Sequence, residues 1–357
     1  MTEASGIPTA GQPGWWVYTG TGRVVDAEDR DRRWPAPPRW RTFSGGPDEP
    51  DPPQDDVDLD RRLGRVVVSD HVDGHEADMV NAAIYLRRPL LVTGRPGSGR
   101  SSLAYRIAYE LRLGRVLRWP VTTNTSLRSG LYDYDAIGRV QAASRMAGLA
   151  GRDDRAAQHD DTQLGEYLHL GPLGTALLPY RLPRVLLIDE LDQSDIELPQ
   201  QLRSVFEDGG FEIRELVRVG DRTPQVRVRT ADPGRTAVVR SGRVRCHAFP
   251  IVVMTCTDER DFPEAFLRQC LRLRLAEADE NRLADVVAGH FPDRFDGAGE
   301  VIRDYLRRRS GTDTLAMDQL LDAVHLRTSG AFAPADRAEW DRLIEALWHR
   351  LSATEPG

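Results

Sequence analysis

Short apolar runs recur along the middle of the chain, at residues 90–92, 116–121, 185–188, 251–254 and 271–275, with stretches of helical period between them. Such runs predict strands buried on both faces, as in a parallel sheet covered by helices. Residues 76–87 predict a helix before the first run, and Leu103, Ile107 and Leu111 predict another after it. Residues 223–249 behave differently. QVRVRT and TAVVRSGRVRC alternate around the turn formers DPGR and SG, which predicts β-hairpins carried on the sheet domain. Arg227, Arg229, Arg240, Arg243 and Arg245 alternate with the valines there and read as a solvated face, with a client-gripping or pore-lining surface as the alternative. From about residue 276 the period is helical throughout. Met317, Leu320, Leu321 and Val324 form one stripe, and Trp340, Leu343, Ile344, Leu347 and Leu351 another, so a small all-helical domain is expected. Residues 139–163, rich in Ala, Arg and Asp and without a period, are expected to form an exposed loop.

The first 60 residues have a different character. They hold nine of the 23 prolines, so RWPAPPRW is expected to be extended, each proline fixing its own backbone and restricting its predecessor. The acidic run DEPDPPQDDVDLD reads as a solvated linker. Trp15, Trp16, Val17 and Tyr18 are too apolar to remain in water, and this arm is expected to dock on the chain's own body or on a partner.

A length of 357 residues suits about two domains, and 40% hydrophobic with 29% charged residues excludes wholesale disorder. No apolar run approaches the ~18–20 residues of a membrane span, and MTEASGIPTAGQ lacks a signal pattern. Cys246, Cys256 and Cys270 are too few and too scattered for a disulfide framework or a zinc site, which suits a cytoplasmic location. A net charge of −7 and the lack of a DNA-binding motif argue against a nucleic-acid partner. Lysine is absent: all 48 basic residues are arginine. Codon drift or selection against lysine-directed modification would account for this, and either way a site that ordinarily uses an ammonium must use a guanidinium. Asp70, His71, Asp73, His75 and Glu76 superficially resemble metal ligands but precede a helix, where capping or solvated roles are expected.

Gly94-Arg95-Pro96-Gly97-Ser98-Gly99-Arg100-Ser101 matches the phosphate-loop pattern G-x-x-x-x-G-K-[ST], with arginine for lysine. It follows a predicted strand and opens a predicted helix, so backbone amides and the helix N-terminus would cradle phosphates, with Ser102 following on the helix. Ser101 is the candidate Mg²⁺ ligand through its hydroxyl. The run 185–188 then ends in Asp189 and Glu190. Asp189 would hold Mg²⁺ through water and Glu190 would polarise an attacking water. Neither [NT]-K-x-D nor a kinase catalytic-loop signature is present, which removes GTPase and kinase readings.

The segments LLVTGRPGSGRSSLA, LRSGLYDYDAIGR, LGPLGTALLP, RVLLIDELDQSDIELPQQLRSVFEDGGFEI, VVMTCTDERDFPEAFLRQCLRLRL and LAMDQLLDAVHL together resemble a MoxR-type AAA+ ATPase, in order across about residues 64–330. WWVYTGTGR and PPRWRTF resemble the N-terminal arm of actinobacterial members. The resemblance implies an α/β fold: a P-loop AAA+ αβα core with a parallel five-stranded sheet and β-hairpin insertions, plus a C-terminal all-helical lid. The corresponding boundaries are an arm and linker at 1–60, a nucleotide-binding core at 61–276 and a lid at 277–357. It further implies ATP and Mg²⁺ as ligands and a homo-oligomeric ring, usually hexameric. The implied partner is a protein client or a von Willebrand A-type protein, in some gene neighbourhoods within a conflict system.

Three positions depart from the family pattern. Arg100 stands where the loop lysine is expected, and its planar guanidinium cannot occupy the compact ammonium's place. The polar sensor falls on Thr257, shorter in reach than the usual asparagine. The trans-acting arginine finger falls on Gln269, leaving Arg268 as the candidate substitute. Two functions therefore stand open: a ring ATPase that remodels a protein partner, with weak hydrolysis, or a nucleotide-locked scaffold with negligible turnover, alone or in a mixed ring.

Overall fold

Among the described residues, eleven strands account for the predicted runs and more: β1 (Leu90–Thr93), β2 (Leu117–Pro120), β3 (Tyr132–Tyr134), β4 (Leu168–Leu170), β5 (Val185–Asp189), β6 (Gly210–Glu212), β7 (Gln225–Arg229), β8 (Thr236–Arg240), β9 (Arg243–Arg245), β10 (Ile251–Cys256) and β11 (Leu271–Arg274). The computed structural model describes residues 13–46, 49, 51–54, 57–69, 72–95, 97–147, 164–257, 261–292, 298–309, 315–329 and 337–348. The five predicted core strands form one all-parallel sheet in the order β11-β1-β10-β5-β2. Leu90 pairs with both Val253 and Leu271, and Leu186 with both Val252 and Leu117. Every residue of β5 and β10 is buried. The side-chain period of two sends Leu186 and Ile188 into one apolar cluster and Val185 and Leu187 into another, so each face of the sheet has its own core.

Helix α1 spans Ala27–Arg33, α2 Val57–Leu63, α3 Gly74–Leu86 and α4 Arg100–Glu110. Asp73 caps α3 by accepting from the amides of His75 and Glu76, a capping role as the sequence suggested; Asp70 and His71 lie outside the described residues. From α4, Leu103, Ala104, Ile107 and Ala108 fill the second cluster beneath the sheet. The predicted hairpins are present, β7 pairing antiparallel with β8, but within a larger six-stranded sheet ordered β3-β4-β7-β8-β9-β6. Its apolar face, with Val226, Val228, Ala237, Val239 and Val244, joins the first cluster, while all five alternating arginines are exposed. A buried ion pair fastens the hairpin turn to the root of β5, Arg184 donating from Nη1 and Nη2 to Asp232 at 2.7 and 2.9 Å.

Two expectations are corrected. The loop expected at 139–163 is helical in its first part, since helix α6 covers Ala136–Ala147 after a short α5 at Leu127–Leu131. Ala, Gln, Arg and Met favour helix without an apolar stripe, and Asp135 Oδ1 accepts from the Gly138 amide at 2.8 Å to start it. Residues 148–163 lie outside the described residues. Nor is the acidic run simply a solvated linker. Pro52 is buried, Pro53 accepts from the Arg115 amide at 2.9 Å, and α2 begins at Val57.

The tryptophan arm docks on the chain's own body: Trp16, Val17 and Tyr18 are buried. Asn81 of α3 accepts from the amides of Val17 and Tyr18 and donates to the Tyr18 carbonyl. Glu110, at the end of α4, accepts from the amides of Thr19, Gly20 and Gly22. Beside them, the Glu76 carboxylate is 2% exposed and takes the Tyr18 hydroxyl at 3.0 Å and both Arg106 terminal nitrogens at 2.8 Å.

Four helices, Glu280–His290, Ala298–Arg309, Met317–Thr328 and Arg337–Leu347, surround a third apolar cluster that includes Leu283, Ile302, Tyr305, Leu320, Val324 and Trp340. The first predicted stripe packs there whole, and Trp340, Ile344 and Leu347 of the second; Leu343 is half-buried outside that cluster, and Leu351 lies outside the described residues. Among the described residues no helix is long and apolar enough to cross a membrane.

Burial alone would raise the Glu76 pKa, but the charge and hydrogen bonds of Arg106 prevail and hold it below 4.5. Its stabilising contribution is therefore complete above the ordinary carboxyl range and lost as pH falls through the depressed value. Glu76→Gln leaves Arg106 without its countercharge and is expected to cost about 3–5 kcal/mol in urea unfolding at pH 7. The exposed control Glu280→Gln should stay within about 0.5 kcal/mol. Equal costs for the two would refute the assignment.

Candidate functional site

The loop 94–101 joins the carboxyl end of β1 to α4, with Pro96 outside the described residues. Gly97 and Gly99 have φ of 78° and 85°, where a side chain is strained. A Cβ on Gly97 would also stand 2.9 Å from the Met317 amide nitrogen, so the loop lies against the start of helix Met317–Thr328. Gly99 caps α4 without a side-chain bond, and the first turn carries no acid. The first amides of α4 thus have no intrahelical acceptor, and the positive end of the helix faces the loop. Ser98 is 5% exposed, and its Oγ has no hydrogen-bond partner among the described residues. Free amides beside a buried, unsatisfied hydroxyl suit a group rich in acceptor oxygens, such as phosphate.

Strand order brings the second half of the site to the first. Asp189 ends β5, and β10 separates β5 from β1, so the carboxyl ends of the three strands lie side by side. Asp189 Oδ1 accepts from Ser101 Oγ at 2.6 Å and from Thr255 Oγ1 at 2.9 Å. Its Oδ2 accepts from Arg118 Nε at 3.1 Å and Nη2 at 2.8 Å. Burial would raise the Asp189 pKa, but the hydrogen bonds from Ser101, Arg118 and Thr255 outweigh it and hold the carboxyl below 3.8. Arg118 moves the opposite way: desolvation would lower it, but Asp189 raises it.

Ser101 and Asp189 therefore meet as expected. Glu190 follows with φ 63°, exposed to solvent, its amide donating to Thr255 Oγ1 at 2.9 Å. A non-glycine residue in this conformation stores on the order of 1–3 kcal/mol and is held there by its surroundings. Arg100 opens α4, half-buried, with no side-chain hydrogen bond or ion pair among the described residues. Ser102 follows it on α4, and Gly94 sits at the end of β1. Arg95 pairs with Glu277 at 2.7 Å, and Glu277 also pairs with Arg309 at 3.3 Å.

Thr257 is not brought to Asp189. Its hydroxyl donates to Asp192 at 2.8 Å, and Thr255 makes the contact instead. Arg268 and Gln269 lie just before β11, at the amino edge of the sheet, whereas the loop and Asp189 lie at the carboxyl edge. Arg268 pairs with Glu264 at 3.2 Å, and the Gln269 amide donates to Glu207. Sequence reasoning missed Arg118 and Thr255. Each is the polar interruption of an otherwise apolar strand, and that was the available signal.

Mg²⁺ was the cation expected at Ser101 and Asp189. A carboxylate offers about four lone-pair positions, and here two hydroxyls and a guanidinium fork take them. Its single negative charge is already matched by Arg118, so the donor set does not suit a divalent cation. No protein-family model matches the chain, and no curated protein is significantly similar to it.

Because the Asp189 pKa is depressed, its contribution to stability is present above the ordinary range and lost as pH falls through the depressed value. Asp189→Asn is expected to lower stability by about 1–3 kcal/mol, the cost of buried donors without their acceptor. The gap from wild type in thermal unfolding should stay constant from pH 8 to about pH 5 and close below about pH 4. A gap unchanged into strong acid would contradict the carboxylate's role.

Proposed function

We propose that the chain binds ATP in the loop 94–101 and works as a MoxR-type AAA+ protein, a ring that acts on a protein partner. The observation that carries this reading is the join of two elements: a glycine loop with free helix amides, and a buried strand whose terminal Asp189 is hydrogen-bonded to Ser101. The five-stranded parallel sheet supports it, as does the four-helix unit whose Met317 lies against Gly97, a suitable place for a lid. Arg268 and Gln269 stand at the far edge of the sheet, where they would serve a neighbouring protomer's nucleotide rather than their own. The partner, a client or a von Willebrand A-type protein, rests on the family resemblance.

In this reading the amides of Gly97 and of residues 99–102 bind phosphate oxygens, and Arg100, without a partner of its own among the described residues, supplies charge. Thr255 fixes the backbone of Glu190, and the exposed Glu190 carboxylate orients the attacking water and accepts its proton. A second reading, a nucleotide-locked scaffold, is favoured by one observation: the Thr257 hydroxyl is committed to Asp192.

The test is ATP binding by calorimetry with phosphate release and mass measured on the same samples. Wild type should bind at micromolar concentration, and Ser101→Ala should weaken binding at least ~10-fold. Turnover that Glu190→Gln abolishes supports the motor; binding and ring formation without turnover support the scaffold. No binding at millimolar ATP refutes both.

A further inference from the structure

We propose that Arg118 takes the place of a divalent cation at Asp189, so that the site holds nucleotide phosphate with little dependence on Mg²⁺. This rests on the ATP-binding reading above. The placement of Arg118 is built into the sheet. Strand β2 lies beside β5, Arg118 pairs with Leu187 and Pro120 with Asp189, and the Val121 amide donates to the Asp189 carbonyl at 2.9 Å. The root of Arg118 is thereby held two positions from the level of Asp189, and its fork closes on Oδ2.

The contact leaves the guanidinium with donors to spare. Arginine has five N–H groups, and Nε and Nη2 serve Asp189, while the side chain remains 37% exposed. The same carboxylate holds Ser101, the last residue of the phosphate loop. Arg118 therefore lies across one carboxylate from the loop that would hold the phosphates. A guanidinium is suited to bidentate contact with phosphate oxygens, and it carries its charge at every working pH. It would offset phosphate charge where a metal would otherwise do so, and it has already neutralised the carboxylate such a metal would use.

The experiment compares the Kd of a fluorescent ATP analogue in excess Mg²⁺ and in EDTA, for wild type, Arg118→Gln and Arg118→Lys. Wild type should bind with values within about threefold of each other. Arg118→Gln should lose at least ~10-fold in EDTA and regain most of it with Mg²⁺. Arg118→Lys, keeping the charge without the fork, should fall between them. Wild type that binds well with Mg²⁺ but loses ~10-fold or more in EDTA overturns this inference and leaves the ATP reading standing. A glutamine variant as indifferent to metal as wild type overturns it too. Wild type that binds under neither condition overturns the ATP reading, and this inference with it. The wild-type comparison decides the matter even where a variant fails to fold.

Discussion

The Glu76 carboxylate joins three parts of the chain that are far apart in sequence. Tyr18 comes from the arm, Arg106 from α4, and Arg282, at 3.3 Å, from the first of the C-terminal helices. A carboxylate this deeply buried is tolerable only with its countercharge in place. Arm, sheet domain and helical unit are therefore mutually dependent. Helix α4, which carries Arg106, starts at the glycine loop and ends at Glu110, the residue that gathers the arm's amides. One helix links the glycine loop to the arm, so a load on either end acts on a rod fixed in its middle by an ion pair.

A second buried carboxylate, Asp189, obeys the same rule with a different result. Glu76 receives its charge partner from a helix within the core and is sealed there. Asp189 sits at the rim of the sheet, and its partner comes from β2, an edge strand, so the guanidinium remains partly in solvent. The first pair holds segments together, whereas the second leaves a guanidinium partly exposed at the sheet's edge. Both carboxyls are depressed despite burial, Glu76 chiefly by the charge and fork of Arg106 and Asp189 by its hydrogen bonds from Ser101, Arg118 and Thr255.

Apolar runs between helices were enough to read the five core strands, because burial on both faces removes the polar alternation that would disguise them. The glycine loop and Asp189 were equally legible, since their chemistry is local. What escaped depends on tertiary neighbours. Nothing local tells that Glu76, in the first turn of a helix, turns inward to meet Arg106, or that residues 132–134 and 168–170 pair with each other. Thr255 and Thr257 lie on one strand end, and only the packing of Asp192 decides which of them is left to reach Asp189. Alanine-rich residues 139–147 lack a stripe because their helix has an exposed face, with Ile137 and Val140 in solvent.

The absence of lysine bears differently on the two arginines of the site. Arg100 stands where an ammonium is expected, so a composition that excludes lysine accounts for it. Arg118 stands within an apolar run, where no ammonium is called for, and it makes a two-nitrogen contact with one oxygen that lysine, a point charge, cannot make. Composition thus explains one substitution and chemistry the other. Together they separate binding from turnover. In the proposed reading, phosphate recognition would draw on loop amides and guanidinium groups already present in the single chain. Turnover, in that same reading, would draw on Glu190 and on groups at a neighbouring protomer's opposite sheet edge. A protein built this way would hold nucleotide before its assembly is complete and act on it only afterwards.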